Sequence, residues 1–135
     1  MSSQAPLERI LEVDTDAVAA GSDADKVIGA APFAGTVTAV TYTPNATLTG
    51  ANTDSRTLSV INKGADGNGT TSVASKAFVS GVNANDFDET VITLSGTPAN
   101  LVVADGDILN FNSLHIGSTG LADPGGKVRV TISRT

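Results

Sequence analysis

From Lys26 onward the chain is a succession of short runs rich in Val, Ile and Thr, broken by clusters of Gly, Asn, Asp and Pro. That texture is the signature of strands joined by turns. The runs predict strands at 26–31, 35–43, 56–62, 70–79, 89–94, 100–104, 107–116 and 127–133, the number a two-sheet sandwich uses. In the last run Val128, Val130 and Ile132 fall on one face and Lys127, Arg129, Thr131 and Ser133 on the other, because successive strand side chains point to opposite faces. In the run 107–116 the apolar positions Ile108, Leu109, Phe111 and Leu114 occupy both faces, which predicts a central strand or a bulge near Asn112 and Ser113. Between the runs lie Pro44-Asn45, the Gly-rich stretch 64–69, Asp105-Gly106 and Asp123-Pro124-Gly125-Gly126, all of them turn chemistry.

The first 25 residues read differently. They carry Glu8, Glu12, Asp14, Asp16, Asp23 and Asp25 against a single Arg9. Leu7, Ile10 and Leu11 share a helical face, yet Ile10 and Glu12 alternate with Leu11 and Val13 as in a strand. Residues 14–25 are small and acidic with one Gly, which suits a solvated connection. The expected organisation is an N-terminal arm over 1–25, docking on a partner or flexible, followed by a β-sandwich domain over 26–135.

Composition narrows the function. At 135 residues the chain has room for one core, and with aromatics at only 4 % that core must be built from Val, Ile, Leu and Ala. Fourteen acidic against eight basic residues leave a net charge of -6, which repels a phosphate backbone, so nucleic acid is not an expected partner. The absence of Cys removes disulfides, thiolate zinc sites and Cys nucleophiles. No apolar stretch approaches the ~20 residues a membrane helix needs, and the N-terminus lacks the basic start and apolar run of a signal peptide. Synthesis in a cytoplasm and no membrane partner are expected.

Nothing in the chain spells out a catalytic centre. The single His115 stands near the end of a predicted strand, without the further His or Cys that a histidine zinc site or a base-driven nucleophile would use. The stretch 64–69 follows a strand as a phosphate loop does, but Thr70, Thr71, Ser72 and Val73 continue it as a strand instead of the required helix. At Gly126-Lys127, Leu121 stands where a phosphate loop needs Gly and Val128 where it needs Ser or Thr. Asp86, Asp88 and Glu89, and again Asp105 and Asp107, are clustered carboxylates. Alongside Gly and Asn they read as loop chemistry ahead of a calcium site or a glycosidase pair. No enzyme and no cofactor are expected.

The segments APFAGTVTAVTYTPNATLTGANTDSRTLSVINKGADGNGTTSVASKAF (31–78), LVVADGDILNF (101–111) and GLADPGGKVRVTI (120–132) resemble small head decoration proteins of tailed bacteriophages, also called minor capsid or cement proteins. The resemblance implies an all-β chain, a β-sandwich of jelly-roll type, assembled as a homotrimer on the outer surface of the virion and bound to the major capsid protein. Leu7, Ile10, Leu11 and Val13 of the arm are then the candidate capsid contact, by strand addition or through an apolar face. A tail or fibre module binding a host-surface ligand is the alternative.

Overall fold

The alternation of the last run is carried through to the fold: Val128, Val130 and Ile132 are fully buried, and their strand lies in the interior of a sheet. The computed structural model describes residues 7–134, which form nine strands. These are β1 (Glu8–Thr15), β2 (Ala24–Ala30), β3 (Gly35–Pro44), β4 (Ser55–Asn62), β5 (Thr71–Phe78), β6 (Thr90–Val91), β7 (Val102–Val103), β8 (Ile108–Ile116) and β9 (Gly126–Arg134). One sheet runs β1-β9-β3-β6, with β7 pairing further along β3, and the other runs β2-β8-β4-β5.

Every pairing is antiparallel, and the set has a simple logic. β1 pairs with β9, β2 with β8, β3 with β6 and β7, and β4 with β5. These are the rungs of one long hairpin whose apex is the Gly-rich turn between β4 and β5. Rolling that hairpin up gives β9 a second neighbour in β3 and gives β8 a second neighbour in β4. The result is a β-sandwich of jelly-roll type, as the strand pattern and the resemblance implied.

Aliphatic and a few aromatic side chains from the facing sheets fill the middle: Val37, Val40, Tyr42, Val130 and Ile132 on one side, Leu58, Val60, Phe78, Leu109 and Phe111 on the other. The rings of Tyr42 and Phe111 stack across the gap, with centroids 5.9 Å apart. Inward residues Val37, Val40 and Tyr42 break strict alternation, and the register of β3 on β9 accordingly slips between Val37 and Ala39, since one extra residue restores the inward phase.

Two expectations are revised and one choice between alternatives is settled. The acidic N-terminal stretch is not a separate arm over residues 8–15: β1 is paired with β9 along its length, from Glu8 opposite Ser133 to Thr15 opposite Gly126. Residues 1–6 of that expected arm lie outside the described residues. In the run 107–116 the two-faced pattern marks a central strand, and β8 keeps an unbroken register against β4. The irregularity is instead in its other neighbour, between Val27 and Gly29 of β2. The run 89–94 is a strand only at Thr90–Val91. Beyond it the chain crosses between sheets, with Ile92 N–H donating to Val40 and Ser75 N–H to the Thr93 carbonyl.

Candidate functional site

The jelly-roll path gathers the connections 16–23, 45–54, 79–89 and 117–125 at one end of the sandwich, where backbone bonds lash them together. Val18 and Asp123 exchange two hydrogen bonds of 2.8 Å, Asn45 N–H donates to the Gly125 carbonyl, and Leu48 and Ala84 exchange another pair. The turn Asp123-Pro124-Gly125-Gly126 must pass close beneath its neighbours. A Cβ on Gly126 would come within 2.2 Å of the Thr43 carbonyl oxygen, and Gly125 takes φ +77°, a conformation that favours glycine.

Beneath these connections lies a buried polar network. Asp123, 1 % exposed, accepts hydrogen bonds from the Tyr42 hydroxyl at 2.5 Å, the Ser113 hydroxyl at 2.7 Å and the Gly125 N–H at 3.0 Å. Arg56, fully buried on β4, donates to Ser113 Oγ and to the carbonyls of Leu121, Ala19 and Ser22. A charge can be buried only when its hydrogen-bonding capacity is met, and here the partners come from both the 16–23 and 117–125 connections. Burial, followed by the Asp123 charge and its hydrogen bond, pushes the Tyr42 phenol up. Burial likewise pulls the Arg56 guanidinium below its ordinary value, and Asp123 opposes that.

Against this network opens a cleft of about 310 Å³ whose lining includes Asp16, Asp23, Asp25, Lys26, Val18 and Phe111. His115 flanks the same end, where its Nδ1 lies 2.6 Å from Asp23 Oδ1 and its backbone N–H donates to the same oxygen at 2.8 Å. Those two contacts hold the Asp23 carboxyl below the usual carboxylate range. Ser113 is spent in the network and is 1 % exposed, so it offers no accessible hydroxyl to a base.

The carboxylates singled out in the sequence do not converge. Asp86 accepts from the Thr47 hydroxyl, Glu89 from Thr41 and Arg129, and Asp107 from Asn62 and the Ala104 N–H. Among the described residues no three His, Asp or Glu side chains come together as a metal site would require. The Gly-rich 64–69 stretch is the hairpin turn between β4 and β5.

The four proposed contact residues are divided by the strand they form. Leu11 and Val13 turn inward and pack against the core. Ile10 turns outward and is 48 % exposed. Leu7 is half-buried, and its carbonyl accepts the Arg134 N–H. The outward face of β1 also carries Glu12 and Asp14, paired with Arg129 at 3.1 Å and Lys127 at 3.4 Å on β9. Among the described residues β9 is the one strand paired to β1, so the opposite edge of β1 is open. Across the sandwich, the outer edge of β5 is covered by residues 93–95. A feature with no sequence signal is Phe87, which is 76 % exposed and has φ 59°.

No family model matches the chain, and no curated protein matches it. Among solved structures, a chain from Desmodium yellow mottle tymovirus is similar over 99 % of this chain and 91 % of its own, at 12 % identity and a TM-score of 0.42. The jelly-roll assignment rests on the strand order and register. No helix among the described residues is long and apolar enough to cross a membrane.

Proposed function

We propose that the protein is a non-catalytic structural component of a phage virion that decorates the outer capsid surface by binding the major capsid protein. The observation that carries this reading is the open edge of β1. It is eight residues long, fixed from behind by Leu11 and Val13, and flanked outward by Ile10. A strand in this state is preorganised to accept another strand from a neighbour, main chain to main chain. The jelly-roll topology and the resemblance of residues 31–78, 101–111 and 120–132 to head decoration proteins point the same way. Trimer formation belongs to the same proposal, since association would bury surface that a short, aromatic-poor chain leaves exposed.

The edge also argues about what it selects against. Two copies of β1 paired antiparallel about Leu11 would set Glu8 opposite Asp14, and like charges directly opposite destabilise a pair. The preferred addition is therefore a strand from a different protein. A small-ligand role, as in a tail or fibre adhesion module, is the second reading and is favoured by the cleft beside Asp23 and Phe111.

The test is co-sedimentation of the purified protein with mature shells of the parent phage, with unexpanded shells as control and mass measured by light scattering in parallel. Saturable binding to mature shells, weakened about tenfold or more by Ile10→Arg, is the expected result; tenfold is the effect of about 1.4 kcal/mol. Absence of binding to either shell would turn the reading toward the tail or fibre role. A point substitution at Ile10 is a cleaner probe than truncation, because removing residues 1–13 would also take Leu11 and Val13 out of the core.

A further inference from the structure

Phe87 is the most exposed large hydrophobic side chain among the described residues, at 76 %, and the one residue other than Gly among them with positive φ. It stands third in the turn Asn85–Asp88, closed by the Asp88 N–H donating to the Asn85 carbonyl at 3.2 Å. Positive φ at the third position of a turn calls for Gly or Asn, which take that conformation without a Cβ clash or with local compensation. A large aromatic at this position is held against both its backbone preference and its hydrophobicity. Strain of this kind persists only where the surroundings over-determine it.

The surroundings do so here. Phe87 N–H donates to the Pro44 carbonyl at 2.9 Å, Leu48 and Ala84 exchange backbone bonds, and Asn83 Oδ1 accepts from the Gly50 N–H. The Thr47 hydroxyl donates to the Asp86 carboxylate and accepts the Asp86 N–H. The turn is thus pinned along its length to the connection between β3 and β4, and the ring is presented on a rigid mount. Its chain neighbours Asp86 and Asp88 are both exposed and make the turn acidic, while Glu89 is paired with Arg129.

We propose that Phe87 is a preformed anchor for a protein partner whose surface offers an apolar pocket rimmed by Lys or Arg. Rigid aromatic anchors are the typical hot spots of protein interfaces, since little ordering is left to be done on binding. Asp86 and Asp88 supply the complementary charge, which orients the encounter and raises its rate. A second copy meeting it through the same turn does not fit, because Asp86 and Asp88 would face their own counterparts. The inference rests on the virion-surface reading in taking the shell as the partner, and it adds a second contact point well away in sequence from β1.

The experiment measures binding of the full chain to mature parent-phage shells at low and at high salt, with Phe87→Gly, Phe87→Leu and Asp88→Asn variants. Phe87→Gly is expected to leave the thermal midpoint unchanged or raised, since Gly suits the turn, while weakening shell binding at least tenfold. Phe87→Leu should retain part of the affinity. Asp88→Asn should slow association and flatten the salt dependence. Binding of Phe87→Gly equal to that of the natural chain would overturn the anchor and leave the virion-surface reading standing. Binding that strengthens with salt would overturn the basic rim. Failure of the natural chain to bind shells at all would overturn both readings together.

Discussion

Two halves of the same loop end are fastened by different means. The 16–23 and 117–125 connections are tied to the sheets by fully buried charged and polar groups, with Arg56 and Asp123 each making several hydrogen bonds. The 45–54 and 79–89 connections are tied by backbone pairs and by solvent-exposed side chains such as Thr47, Asp86 and Asn83. Buried bonds weigh more than exposed ones, because breaking one leaves a desolvated partner with no water to replace it. The first half therefore holds the fold, whereas the second holds a surface feature in place. A protein divided in this way can change what it presents at Phe87 without disturbing what keeps the sandwich closed.

The sharpest way to break that contrast is Asp123→Ala. Removing the acceptor of Tyr42, Ser113 and Gly125 near a buried guanidinium is expected to destabilise the fold by about 3–5 kcal/mol, read as a lowered urea midpoint at unchanged slope. Tyr42→Phe keeps the stacked ring and deletes one bond to a buried carboxylate, so its expected loss is about 2 kcal/mol. Thr47→Ala, in the exposed half, removes two hydrogen bonds that water can replace, and its loss is expected at about 0.5 kcal/mol. Equal losses for Tyr42→Phe and Thr47→Ala would erase the distinction between the halves.

The smallest expected effect is on pH dependence. His115, through its backbone N–H first and its ring second, holds the Asp23 carboxyl below the usual carboxylate range, and backbone N–H groups of Thr119 and Asn68 do the same for Asp54 and Asp66. A carboxyl lowered by folding contributes stability that is present above its unfolded value of about 4 and is lost as pH falls through the folded value. Stability should therefore decline below about pH 4. Asp23→Asn should flatten part of that decline in a series of urea midpoints while leaving neutral-pH binding to shells unchanged. An acid limb identical to that of the natural chain would remove Asp23 from the account.

Much of the fold was legible because strands announce themselves locally. Each of the eight runs overlaps an observed strand, and the faces of β9 are those its alternation implied. In the N-terminal stretch acidity by itself suggests solvation and hides a strand. In fact Leu11 and Val13 supply a buried face while Glu8, Glu12 and Asp14 face outward, the pattern of an edge strand with one wet side. The run 89–94 departs from its pattern for the opposite reason. Its β-branched residues suit a strand, but after Val91 they serve two different sheets in turn.

The candidate sites were less legible, and the division follows the range of the forces involved. Period-two alternation and turn residues are properties of neighbouring positions, so the sequence alone determined strands, turns and a single, mainly aliphatic core. Arg56 and Asp123 stand 67 positions apart, and Tyr42 and Asp123 stand 81 apart. Rolling the hairpin into two sheets brought them into one buried network, because only there do their partners replace the water they lose. Likewise nothing local marks Phe87 as strained and outward-facing. Its conformation is imposed by Pro44, Thr47 and Leu48 across the loop end, and only the tertiary structure could decide that.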